Sequence, residues 1–345
     1  MNLKQYIDLR SDTVTQPSQS MKEQIINAPL GDDVFMEDPT VNALEKQAAQ
    51  LLDKENALLV PSGTMGNLIA VLVHCQRGTE VILGDRSHTF IYEAGGISAF
   101  GGIHSHQLKN EDDGTINIDS INSAIRQDNI HYPKTSLICL ENTQNMCSGS
   151  PIGDTYMNEV YKLAKNNNLN VHTDGARIFN AAVALEINIK ELVQYTDSIT
   201  FCLSKGLSSP IGSILCGTKE FIHEARRVRK ALGGGMRQAG IIAASGQIAL
   251  NQSIEQLQID HDKAKYLAEN IHQIPYLDID IERVKTNILY FSINHDSFNG
   301  SDFVDMMYDK KIKFFEVSKN KFRLVTHSGI SREDVEYVIK MFNEI

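Results

Sequence analysis

The sequence has no apolar run approaching the roughly 18 residues needed to cross a bilayer, so a membrane partner is not expected. Its N-terminus, "MNLKQYIDLRSD", has no apolar signal core, and a cytoplasmic protein is expected. Positive charge is not in excess. A formal net charge of −10 argues against nucleic acid or an anionic membrane surface as the main partner. No CxxC pair occurs. The cysteines, Cys75, Cys139, Cys147, Cys202 and Cys216, are odd in number and widely spaced. Three of them lie in strand-like apolar runs. Buried free thiols are the better reading than disulfides or structural zinc, and no metal site is expected. There is no internal repeat and no low-complexity tract.

What remains is ordinary for a globular chain: 345 residues, 42% hydrophobic and 22% charged, long enough for two domains. Asp38-Pro39 reads as an N-cap with proline at the first helical position. Behind it, Val41, Leu44, Ala48, Leu51 and Leu52 recur at helical spacing. "NALLVPSG", "TEVILGDRSHTF", "TSLICLENT", "LNVHTDGAR" and "SITFCLSKG" are apolar β-type runs that end in polar residues. Strands alternating with helices predict an α/β protein with a mainly parallel sheet. The site of such a sheet lies beyond its carboxyl strand ends, which here carry His88, Asn142, Asp174 and Lys205. Three segments are expected: an N-terminal arm over 1–20, a large α/β domain over 21–250, and a small C-terminal α+β domain over 251–345. The polar arm is a candidate for packing on a neighbouring subunit.

Lys205 stands where an apolar strand runs into the small residues of "LSKGLSS". A surface lysine snorkelling to water is the bland account. Asp174 precedes it by 31 residues, a span that fits one helix and a link. A carboxylate and an amine converging at neighbouring strand ends suit pyridoxal phosphate. The lysine makes a Schiff base with the aldehyde, and the carboxylate keeps the ring nitrogen protonated; the competing account is a structural ion pair. "PSGTMGN" offers Ser62, Gly63 and Thr64 at a helix N-terminus, which suits a phosphate. His88 suits ring stacking or acid–base work. Arg177, three residues after Asp174, is expected to face the cofactor, near its phenolic oxygen or a substrate carboxylate, and Arg323 has the fork that captures carboxylates. Each of these residues, alone, is also an ordinary loop or surface residue.

Together, "DLRSDTVTQPSQSM", "GDDVFMEDPTVNALE", "VPSGTMGN", "HTDGARIFNA", "LSKGL" and "LGGGMRQAG" resemble the low-specificity L-threonine aldolases. These are fold-type-I pyridoxal phosphate enzymes, in the branch named with the β-eliminating lyases. The resemblance runs from about residue 8 to the end of the chain. It implies that Lys205 carries the cofactor, that Asp174 pairs with its ring nitrogen, and that Gly63 and Thr64 bind its phosphate. It implies that His88 stacks on the ring, and that Ser11, Arg177 and Arg323 hold the substrate carboxylate. Arg237 would contact a phosphate, across a subunit interface. The implied assembly is a homotetramer built as a dimer of dimers.

Two departures bear on the substrate. The usual "ENTHN" is "ENTQN", which puts Gln144 at a position expected near the substrate hydroxyl. The usual "DDVYGEDPT" is "DDVFMEDPT", with Phe35 and Met36 in place of tyrosine and glycine. Glutamine bonds a hydroxyl but is no base at neutral pH. The expected reaction is retro-aldol cleavage of L-threonine and L-allo-threonine, with His88, the phosphate or a water as base. The alternatives are a pyridoxal phosphate lyase for another β-substituted amino acid, a metal-dependent hydrolase using His88, His172 and Asp174, and a non-catalytic binding protein.

Overall fold

The computed structural model describes residues 6–295 and 299–345; the first five residues of the expected arm lie outside them. The large domain is built on a seven-stranded sheet. Its strands are β1 (Asn56–Val60), β2 (Glu80–Gly84), β3 (His104–Leu108), β4 (Thr135–Glu141), β5 (Asn170–Asp174), β6 (Ser198–Cys202) and β7 (Ser213–Gly217). They lie in the order β1-β7-β6-β5-β4-β2-β3. All are parallel except β7, which runs against both β1 and β6. Helices cover both faces, which is why most of the strands read as apolar runs rather than alternating ones, the polar edge strand β3 excepted. The five cysteines are buried and unpaired, as expected.

Helix α1 (Pro39–Leu51) starts as the sequence predicts. Asp38 accepts from the N–H groups of Thr40 and Val41, both at 3.0 Å. Its buried face carries Val41, Leu44 and Ala48. Helix α2 (Gly63–His74) is capped by Ser62, whose hydroxyl accepts from the N–H of Met65. This helix lies unusually close to the sheet, because a Cβ at Gly66 would stand 2.6 Å from Cγ2 of Thr200. Helix α3 (Ile178–Leu185) follows the β5 strand end.

Helix α4 (Leu257–Ile271) ties the domains together. Leu257 belongs to the core of the large domain, whereas Ala264, Leu267, Ala268 and Ile271 belong to that of the small one. The small domain has strands β8 (Leu277–Asp278), β9 (Ile288–Ile293), β10 (Phe315–Ser318) and β11 (Lys321–Val325), antiparallel in the order β10-β11-β9-β8. Helices α5 (Gly300–Asp309) and α6 (Arg332–Asn343) pack on it. Phe291, Phe303, Phe314, Phe322 and Phe342 cluster at its centre. Each buried ring contributes about 1.5–3 kcal/mol. The described start of the arm packs on its own chain: Ile7–Asp8 pairs in parallel with Ile312–Lys313, and Leu9 enters the small-domain core.

Candidate active site

The carboxyl ends of the parallel strands converge, as the sequence predicts. Two adjoining cavities of about 440 and 330 Å³ share Thr13, His88, Asp174, Ala176 and Lys205 in their walls. Lys205 lies just beyond β6 and is half-buried. The smaller cavity is lined by Ser62, Gly63 and Thr64 from the start of α2 and by Ser204. The larger lies between the domains. Ser11, Tyr92, Glu141, Thr143, Asn145 and Arg177 line it on one side, and Phe315–Val317 of β10 with Arg323 of β11 on the other.

Asp174 is buried at the end of β5 and is held from two directions. Its Oδ2 accepts from Asn67 Nδ2 at 2.8 Å, and its Oδ1 from the N–H of Ala176. The same Asn67 amide donates to Glu93 Oε1, which lies 3.0 Å from His88 Nδ1. Burial opposes charge on His88, but the Glu93 hydrogen bond and the Asp174 charge prevail and raise its pKa. Burial and the Asp174 charge raise the carboxyl of Glu93 as well.

Arg177 reaches the cavity with its fork already engaged. Its Nε and Nη2 donate to Asp12 at 2.7 and 2.8 Å. Burial works against the Asp12 charge, yet Arg177 and Lys205 hold this carboxyl down to about 2. Arg323 donates to Asn145 Oδ1 and to the carbonyl of Arg10, while its Nε is buried without a partner. Ser11 accepts from the N–H of Thr13 at the mouth. The sequence reading missed Asp12, Asn67, Glu93, Glu141 and Asn145. Asn142, the strand-end residue it named, is occupied instead in a pair of hydrogen bonds with the backbone of Ile152. Its neighbour Glu141 is the one that lines the cavity, and burial with the Asp174 charge raises its carboxyl to about 7.

Several of the expected residues lie outside both cavities. Gln144 does not line either cavity. It is fully buried, donating to the carbonyl of Arg86 and accepting from the N–H of Cys147, both at 2.8 Å. Arg237 is exposed, pairs with Asp32 and lies outside both cavities of its own chain. Phe35 and Met36 are also on the surface, 68% and 56% exposed. His172 is sealed between Ser198 and Asn67, so it does not join His88 as the metal hydrolase reading requires. Among the described residues, the three donors that come within 4.8 Å of one another are His88, Glu93 and Asp174.

The sequence profile of the beta-eliminating lyases matches residues 8–294. The chain belongs to the beta-eliminating lyase family. This lyase is 48% identical over 343 residues to an Arabidopsis thaliana protein named "Probable low-specificity L-threonine aldolase 2", covering 98% of this chain and 97% of that one. It is 43% identical over 332 residues to the low specificity L-threonine aldolase of Escherichia coli O157:H7, covering 96% and 97%. The solved Leishmania major threonine aldolase superposes with a TM-score of 0.83 at 15% identity, covering 98% of this chain and 99% of that one. The lyase therefore has the expected fold-type-I architecture.

Enzymes of the family depend on pyridoxal phosphate, and the side chains of this lyase fit that cofactor. The wall of the smaller cavity holds one amine, Lys205, and one buried carboxylate, Asp174, on neighbouring strand ends. The start of α2 supplies N–H groups for an anion. A Cβ at Gly63 would lie 2.9 Å from Cys202 Sγ, so glycine is what lets the helix end sit this close to the strand.

Proposed function

We propose that this lyase cleaves L-threonine and L-allo-threonine between Cα and Cβ, giving glycine and acetaldehyde. The observation that carries the reading is the placement of Lys205 and Asp174 in the wall common to both cavities, with Arg323 in the wall of the larger. Pyridoxal phosphate, when bound, supplies an aldehyde for amines and a ring that accepts the electron pair of the broken bond. Lys205 holds it, Asp174 keeps its ring nitrogen protonated, and Gly63 and Thr64 bind its phosphate. His88 packs against the ring. Arg323 and Ser11 take the substrate carboxylate, with Arg177 set beside them by Asp12. A carboxylate fixed there orients Cα–Cβ for cleavage, and orientation decides which bond at Cα breaks. His88, with Nδ1 held by Glu93, takes the proton of the β-hydroxyl through Nε2.

Arg237 acts on the phosphate of a neighbouring subunit in a homotetramer arranged as a dimer of dimers. The exposed Ile26, Leu30, Phe35, Met36 and Ile241 support such contact between copies. The arm, the large domain to about residue 250 and the small domain beyond it are the working units. The unpaired cysteines support a cytoplasmic location.

The test is a panel of β-hydroxy and other β-substituted amino acids given to the reconstituted protein. Aldehyde and glycine from threonine support the reading. Ammonia and a keto acid, without aldehyde, mean a β-eliminase for another substrate. Borohydride reduction followed by peptide mapping labels Lys205 if the assignment is right, and a label on a different lysine overturns it.

A further inference from the structure

Two histidines and a serine that the reaction does not use stand in line behind Asp174. Asn67 and His74 are seven residues apart on α2 and so share a face. Gly66 lets that face approach the sheet. On β5, His172 and Asp174 are two apart and point the same way, and Ser198 of β6 is the register partner of His172. The result is a chain of side chains. His74 Nε2 lies 2.8 Å from Ser198 Oγ, which lies 2.8 Å from His172 Nδ1. His172 Nε2 lies 3.1 Å from Asn67 Oδ1. Asn67 Nδ2 ends the chain on Asp174 and Glu93, at 2.8 and 2.9 Å.

The chemistry of the atoms gives each link one direction. Burial pushes the imidazole of His172 down to about 3 and that of His74 down to about 4, so both are neutral at working pH. A neutral imidazole donates from one nitrogen and accepts at the other. Asn67 Oδ1 only accepts, so His172 carries its proton on Nε2. Its Nδ1 then accepts the Ser198 hydroxyl, and the Ser198 oxygen accepts from His74. With its carbonyl claimed in this way, Asn67 turns its NH₂ to the two carboxylates, one hydrogen to each. The flipped amide would aim its oxygen at Asp174 and Glu93 and leave buried groups without partners, which is costly.

We propose that Asn67, locked by the chain His74–Ser198–His172, is a positioning residue that keeps Asp174 aimed and charged and keeps Glu93 in place for His88. This rests on the reading of Asp174 as the partner of the ring nitrogen. The test uses the wild-type holoenzyme and three variants. His172→Phe keeps a ring of similar shape without the donor. It should shift the pH at which the visible absorbance of the bound cofactor changes, and weaken cofactor binding about ten- to a hundredfold, the worth of one hydrogen bond to a charged group. His172→Gln, which can donate to Asn67, should recover part of both. A folded His172→Phe holoenzyme with wild-type absorbance titration and Kd overturns the proposal, as does a glutamine variant no better than phenylalanine. If His172→Phe does not fold, Ser198→Ala is read in the same way, and wild-type behaviour in it overturns the proposal. A wild-type protein that shows no visible band with pyridoxal phosphate instead overturns the reading of Asp174 itself.

Discussion

Glu141 and Asp174 are register partners at the carboxyl ends of adjacent parallel strands, and both carboxylates line one cavity. Like charges so placed cannot both ionise freely. Asp174 has the Asn67 amide and the N–H of Ala176, while Glu141 accepts from the N–H groups of His88 and Asn145. Full burial and the neighbouring charge nevertheless raise the Glu141 carboxyl to about 7.

That shift predicts a pH dependence. Between the ordinary carboxylate range and about pH 7, the folded state holds a proton at Glu141 that the unfolded chain has released. This group therefore favours folding at the acidic end, and the benefit is lost as pH rises through about 7. Glu141→Gln should remove that loss. The Tm of the variant minus that of wild type, measured on cofactor-free protein, should increase from about pH 5 to about pH 8. A flat difference refutes this.

Asp12→Leu should be among the most damaging substitutions in the arm. It leaves the buried Arg177 guanidinium without its partner, which costs about 3–5 kcal/mol. Chemical denaturation should show the loss, and Asp12→Asn should show less of it because the amide oxygen still accepts from Arg177. Equal stability of the leucine variant and wild type would mean that Arg177 finds another partner.

Arg323→Ala should raise KM for threonine by about one to two powers of ten, since one charge-assisted contact is worth about 1.5–3 kcal/mol. Cofactor absorbance should not change, because the residue sits in the small domain across the cavity from Lys205. Loss of cofactor with an unchanged KM would move Arg323 out of the substrate site.

Gln144→His should not raise kcat on threonine. The side chain is fully buried, and its amide serves the backbones of Arg86 and Cys147. Losing those bonds should destabilise the protein by about 1–3 kcal/mol. A gain in kcat, with a new limb in the pH profile, would show that the position reaches the substrate after all.

The sequence by itself determined the alternation of strands and helices, the Asp38–Pro39 helix start, and the strand ends that carry Asp174 and Lys205. These depend on local apolar runs, capping groups and turn residues, which act over a few positions. Motif resemblance also pointed to Arg323 and Ser11, and both line the larger cavity. Only the tertiary structure decided which polar groups meet. Asp12 and Arg177 are 165 residues apart in the chain, and Asn67 and Asp174 are 107 apart. Gln144 lies in a motif that suggested the substrate pocket, yet its side chain points inward. Position in a motif fixes where the backbone of a residue goes. Whether its polar atoms are spent on the protein or left for a ligand depends on the donors and acceptors that packing brings from elsewhere in the chain.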